Sequence, residues 1–265
     1  MAEIPASLVK ELRDKTGAGM MECKRALVET GGDVEAAQRL LRERGMASAA
    51  KRAGRDVTEG KVLAEITDRT GTMVAVGCET EPVSWNEDFL SFARRVFERV
   101  KEDGPEGAQE LEDERVDLVA KIGENVVVAG AAQLAAQNGE IVEAYVHRPA
   151  EKIGVLVRAA GASPELARML AQHISFANPE YTTRDEVPAE RVAEERAVYE
   201  KLPDVASKPE DVRPRIVEGM LAKRLFAESV LLDQPWIHDT SLTVGKALGE
   251  SGAAVREFAR FALTR

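Results

Sequence analysis

Apolar and polar positions fall into helical spacing first, then into short strand-like runs, and then mix the two. Near the start, Ser7 to Lys15 reads as a helix. Thr16-Gly17-Ala18-Gly19 reads as a turn, and a second helix opens on Met20 and Met21. After a turn at Gly31-Gly32, Asp33 can cap a third helix, Val34 to Arg44, with Val34, Ala37, Leu40 and Leu41 at helical spacing. Gly45 to Asp56 is small-residue and basic, and it suits a linker containing a helical turn. Two β-rich runs follow, Gly60 to Ile66 and Gly71 to Val76, around Thr67 to Thr70, which makes a hairpin. The spacing then predicts a helix from Asn86 to Lys101, with Phe89, Phe92, Ala93, Val96, Phe97 and Val100 on one wide stripe suited to packing on a sheet. Gly104-Pro105 breaks it, a helix over Glu114 to Lys121 follows, and Val126 to Val128 is a strand.

The order then partly repeats. Gly139 to Val146 and Ile153 to Val157 form a second hairpin, and a helix runs from Pro164 to Ala177. The last strand, near Val255 to Leu263, arrives only after a long excursion. That excursion holds a charged helix, Arg191 to Lys201, and a second helix in which Pro214 is tolerated only in the first turn. Ile216, Val217, Met220, Leu221 and Leu225 share a seam there, which predicts an antiparallel helical hairpin with little core of its own. The fold class expected is α+β: three N-terminal helices, then a duplicated core of small antiparallel sheets with helices on one face and the inserted hairpin. The domain boundaries expected are 1–45, a linker over 46–58, and core halves 59–138 and 139–265, with the insertion at about 180–230.

Composition narrows the function. Residues 1–56 hold 11 Lys or Arg against 9 Asp or Glu, a net +2, and the rest hold 25 against 37, a net −12. An acidic bulk lacks the basic stripe that phosphate binding needs, so no direct nucleic-acid partner is expected. Cys23 and Cys78 have no CxxC context and no histidine at ligand spacing, so neither a metal nor a cofactor is expected. No apolar run has the length of a signal peptide or membrane span, which predicts a cytoplasmic protein without a membrane partner.

Two segments carry candidate binding chemistry. Met20 and Met21 place soft thioethers at a helix start, where an adaptable binding surface or a small core are both open readings. Cys78-Glu79-Thr80-Glu81-Pro82-Val83-Ser84-Trp85-Asn86 ends a strand and enters a helix that Asn86 can cap. Pro82 stiffens this turn, Thr80 can bond to nearby backbone, and Glu81 and Trp85 are presented. A plain strand-to-helix corner fits the same residues.

The run from Ser7 through Lys15 into Thr-Gly-Ala-Gly-Met-Met-Glu-Cys-Lys-Arg-Ala-Leu27 resembles the amino-terminal, ubiquitin-associated-like domain of the bacterial translation elongation factor Ts family. Further tracts resemble the same family: Lys121 to Asn125, Lys152 to Val157, Arg184 to Pro188, Ile216 to Gly219 and Gln234 to Trp236. The resemblance implies a guanine nucleotide exchange factor for elongation factor Tu, met both GDP-bound and nucleotide-free, with no chemical catalysis and no catalytic residues. It implies that Thr80, Glu81, Pro82 and Val83 form the loop that dislocates the partner's Mg2+. The family usually reads Thr-Asp-Phe-Val there; here Glu81-Pro82 keeps a carboxylate and loses the aromatic. Partner contacts are implied for Arg13, Met20, Met21, Lys24, Ile122, Gly123, His147 and His173.

Two functions from other classes compete with this one. A hydrolase or transferase needs a nucleophile, a base and an orienting group, and three histidines with no Gly-x-Ser-x-Gly or phosphate loop offer little for that. A non-catalytic adaptor that binds ubiquitin-like or other proteins through the amino-terminal helices would explain Met20-Met21 but leaves the stiff turn at 80–83 without a purpose; a chaperone-like partner of elongation factor Tu without strong exchange activity is the alternative to exchange.

Overall fold

The computed structural model describes residues 4–264. Three helices come first: α1 (Ala6–Thr16), α2 (Met20–Glu29) and α3 (Val34–Arg52). Leu12, Cys23, Ala26, Leu27 and Ala37 close their small core. Gly17 ends α1 in the left-handed region at φ 66°, and the Asp33 carboxylate caps α3 by accepting from the Ala36 N–H at 3.0 Å.

Two small antiparallel sheets with helices follow. The first contains β1 (Glu59–Thr67) and β2 (Thr70–Cys78), then α4 (Glu81–Ser84), α5 (Glu87–Asp103) and α6 (Glu112–Ile122), and closes with β3 (Val126–Ala135). Its strand order is β1-β2-β3. All six residues of the α5 stripe are buried, packed with Val74, Val76 and Val126 of the sheet. The second sheet is β4 (Glu140–Val146), β5 (Ile153–Ala160) and, much later, β8 (Ala254–Ala262), in the order β4-β5-β8, with α7 (Pro164–Ala177) packed on it.

The sheets pack on each other through Val62, Met73, Ala75 and Leu134 from the first and Val142 and Leu156 from the second. The approach is close: a Cβ on Gly154 would lie 2.4 Å from Val62 Cγ1. Only glycine fits there, so this position sets how tightly the layers can pack.

Between α7 and β8 lie α8 (Ala189–Glu200), α9 (Pro203–Ala206), α10 (Arg213–Met220) and α11 (Ala227–Ser229), then the hairpin β6 (Pro235–Trp236) and β7 (Asp239–Thr243), and α12 (Val244–Glu250). Pro214 sits in the first turn of α10, and the helix widens into a π-type segment over Leu221–Phe226. The Ile216 to Leu225 seam faces inward as its spacing predicts. It joins Val187, Tyr199, Val205, Phe226 and Val230, so the excursion has a real core, contrary to the thinly apolar hairpin expected.

Two elements outrun their sequence signals. The third helix was expected to end at Arg44, but α3 continues to Arg52. The added turns are rich in helix formers, Ala49 is buried in the first core, and a Cβ on Gly45 would meet Ala120 Cβ at 3.2 Å. Docking on α6 therefore extends the helix into the expected linker. Strand β3 was expected to stop at Val128 but runs to Ala135, through alanines and a glycine without β propensity, because its backbone pairs with β2 to the end.

Candidate partner-binding site

The candidate site begins where β2 ends. Cys78 is buried; its Sγ–H donates to the Thr80 carbonyl at 3.3 Å, and burial pushes the thiol pKa up to about 12, so it is an inert structural group. Beyond it, the chain is laced to the residues after α6. The Glu79 carboxylate accepts the Asn125 N–H at 2.7 Å and faces Arg55 at 3.3 Å. The Glu124 carboxylate accepts the Thr80 N–H at 3.0 Å and its hydroxyl at 2.6 Å. Gly123, at φ 83°, ends α6 in the left-handed region and turns Glu124 toward Thr80. Thr80 thus bonds to a carboxylate, not to the backbone acceptor expected.

Glu81 to Ser84 then form the single turn α4, with Pro82 in its first positions and the Ser84 hydroxyl donating to the Glu81 carbonyl at 2.7 Å. The Asn86 side chain caps α5 by accepting from the Asp88 N–H at 2.9 Å and the Phe89 N–H at 3.3 Å. A one-turn helix fixed at both ends therefore holds exposed Glu81 and Pro82 outward. Val83 turns inward onto the core under α5, so it anchors the turn and does not project from it.

Trp85 ends this turn and is 57% exposed. One face of its ring is covered by the Lys61 ammonium, 3.3 Å from the centroid. Lys61 is itself 2% exposed and pairs with Glu151 at 3.2 Å.

The other predicted residues divide into four places. Met20 and Met21 open α2 and are 58% and 64% exposed, and Arg13 on α1 and Lys24 on α2 are exposed as well. The methionines therefore lie outside the small core, and Cys23, Ala26 and Leu27 supply the inner face instead. Ile122 is half-buried against the first core, and Gly123 is half-buried beside it. Helix α6 ties these places together, because Lys121 reaches Asp88 at 2.7 Å and Arg42 of α3 reaches Asp113 at 2.8 Å.

His147 is exposed just beyond β4, with Nδ1 3.0 Å from the Tyr145 hydroxyl. Its carbonyl accepts the Glu151 N–H at 3.0 Å, so the His147 turn meets the 81–85 turn through Lys61.

His173 is a correction. It was expected to meet a partner, but it is fully buried, 2.9 Å from Gln234 Oε1 and stacked on Trp236 with centroids 5.1 Å apart. It joins α7 to β6 and presents nothing to a partner. Its neighbour Phe176 has no role assigned from the sequence, yet it is 80% exposed at the edge of an open groove of about 650 Å³ shared with Tyr145, His147 and His238. The signal was available: Phe176 falls outside the buried Leu170–Ala171–Ile174 stripe of α7.

Burial holds the His173 pKa below its ordinary value, against the opposing hydrogen bond to Gln234. A lowered imidazole stays neutral in the folded chain while the unfolded chain takes up a proton. Stability is therefore unaffected above about pH 6.5 and falls as pH drops below it. Urea midpoints at pH 7.5 and 5.5 are expected to show a smaller acid loss for His173→Gln than for the unaltered chain. An equal loss in both would assign the acid sensitivity elsewhere.

A family model described as Elongation factor TS matches residues 79–265, beginning at the first residue beyond β2. Elongation factor Ts of Pasteurella multocida is 42% identical over 265 residues, covering 98% of this chain and 92% of that protein. That of Sodalis glossinidius is 40% identical, covering 98% and 92%. That of Clavibacter michiganensis subsp. michiganensis is 39% identical, covering 98% of each. The similarity to these relatives therefore extends through the three N-terminal helices.

Proposed function

The chain belongs to the elongation factor Ts family, and we propose that its turn at Thr80, Glu81, Pro82 and Val83 acts beside the Mg2+ and phosphate site of elongation factor Tu, while Arg13, Met20, Met21, Lys24, Ile122, Gly123 and His147 hold that partner. Elongation factor Ts is the nucleotide exchange factor of elongation factor Tu, a binding function without chemistry of its own. It acts in translation, and among the described residues no helix is long and apolar enough to cross a membrane.

The mechanism follows from linkage. GDP is held largely by its phosphates, through Mg2+, backbone amides and a lysine. A factor promotes release only if it binds the nucleotide-free state more tightly than the GDP state. An acidic group brought to the metal site competes for Mg2+ and repels phosphate, so GDP leaves faster. Incoming GTP reverses the linkage and expels the factor. The observation that carries this reading is the exposed Glu81 on a one-turn helix fixed at its base by Glu124 and Thr80. A fixed carboxylate spends little entropy on being positioned. Val83 serves as the inward anchor.

The test is release of a fluorescent GDP analogue from elongation factor Tu as this chain is titrated in. The expected result is saturable acceleration of about 10³-fold, equivalent to about 4 kcal/mol of barrier. Tight binding without acceleration would leave a storage or chaperone-like partner instead.

The finer architecture belongs to the same proposal. We read residues 1–45 as a ubiquitin-associated-like domain, 59–138 and 139–265 as duplicated core halves, and 180–230 as an antiparallel hairpin inserted in the second. Each half is a hairpin whose second strand takes on a third, and the register shifts at Ala75/Val76 in β2 and Arg158/Ala159 in β5. Both shifts fall between the sixth and seventh residues of the strand, counted from Thr70 and Ile153. A shared bulge position supports descent from one unit. With α3 reaching Arg52, the connection between the first domain and the core shortens to residues 53–58.

A further inference from the structure

Lys61 is the buried charge that the mechanism above leaves unused. Taking an ammonium out of water is costly unless it is paired, and here it has two partners. Glu151 stands 3.2 Å from Nζ, and the Trp85 ring lies over it at 3.3 Å from the centroid. Each partner comes from a different half of the fold. Trp85 closes the α4 turn, and Glu151 lies between β4 and β5, where its carbonyl accepts the Val62 N–H at 2.7 Å. Arg148 stands 3.9 Å from the same carboxylate, and its side chain is 84% exposed, which leaves Lys61 as the buried cation of the pair.

A desolvated cation over an indole face is a strong and directional contact. It fixes the plane of a ring whose remaining surface is open, three residues beyond exposed Pro82. A large aromatic with one face clamped and the rest free is what an interface anchor requires, because little ordering entropy is left to lose on docking.

Resting on the exchange reading above, we infer that Trp85 is the aromatic contact this turn makes with elongation factor Tu, and that Lys61 and Glu151 are positioning residues that hold its ring for that contact. The clamp also ties the turn bearing Glu81 to the turn bearing His147, so both halves meet the partner in one fixed geometry.

Two measurements on the full chain test this. Trp236 is 4% exposed, so acrylamide quenching of tryptophan fluorescence reports Trp85. In the free chain, Lys61→Met is expected to raise that quenching, and Glu151→Gln to raise it less; thermal melts by circular dichroism verify that each variant is folded. In GDP-analogue release, Lys61→Met and Trp85→Leu are each expected to lower the maximal rate about tenfold, with Trp85→Phe recovering part of the loss. The double variant is expected to be no slower than either single one, because both break the same contact. Additive losses, or unchanged quenching in folded Lys61→Met, would overturn the inference. If the unaltered chain gave no acceleration, the exchange reading would fall instead. The quenching comparison on the free chain would then decide by itself whether Lys61 clamps the ring.

Discussion

Glu81→Ala is expected to lower the maximal rate of GDP release by about 30-fold while changing the affinity for elongation factor Tu by less than about threefold. The carboxylate is exposed on a turn that Glu124, Thr80 and the Asn86 cap hold in place, so its removal leaves the scaffold unchanged. A unit charge at about 4–5 Å from a phosphate, at an effective dielectric near 20, interacts by roughly 3–4 kcal/mol, and salt and solvent reduce that to about 2 kcal/mol. Two kilocalories correspond to about 30-fold in rate.

Met20→Asp should do the opposite. Burying a methionine side chain at an interface is worth about 1.5–3 kcal/mol, and a charge in its place adds a desolvation cost. Affinity is expected to fall about 100-fold, with the rate at saturation little changed. Stopped-flow release over a range of factor concentrations separates the two quantities. If both variants moved affinity equally, the division between an exchanging turn and a holding helix would be wrong.

The second large effect is on stability. Gly60→Ala is expected to cost about 3–5 kcal/mol, measured as a lowered urea midpoint. Gly60 has φ 140°, a conformation that L side chains rarely adopt. An added Cβ would lie 2.1 Å from the Val76 carbonyl oxygen, 2.9 Å from Gly77 Cα and 2.9 Å from Leu263 Cδ1. Two of these obstacles are backbone of the paired strand β2, where Gly60 faces Gly77, so neither can rotate away. Relief requires the hairpin itself to open at its base. The damage reaches the site as well, because the next residue is Lys61; an increase in Trp85 quenching is expected to accompany the loss of stability. A variant as stable as the unaltered chain would mean that β1 can adopt another path here.

Much of this molecule is written in local periodicity. The stripe from Phe89 to Val100 determined that α5 would face a sheet, and every one of its residues is buried. Asp33 and Asn86 determined two helix starts, since a cap is a contact between near neighbours in sequence. Pro214 and the Ile216 to Leu225 seam determined the start and the inner face of the helix in the excursion. Met20 and Met21 stood out because thioethers at a helix start need a reason, and they are exposed.

What the sequence left open depends on residues distant along the chain. The lengths of α3 and β3 were decided by Ala120 opposite Gly45 and by the pairing of β3 with β2. Nothing within either segment records these. His173 and His147 look alike in sequence, yet Gln234 and Trp236 enclose the first and the second stays exposed. Thr80 and Lys61 gained their roles from Glu124 and Glu151, which are 44 and 90 positions away. Caps, turns and amphipathic faces are settled by atoms within a few residues, so the sequence alone determined them. Which surface a face meets, and which charge a buried group finds, are settled only when distant segments come together, and there the tertiary structure decided.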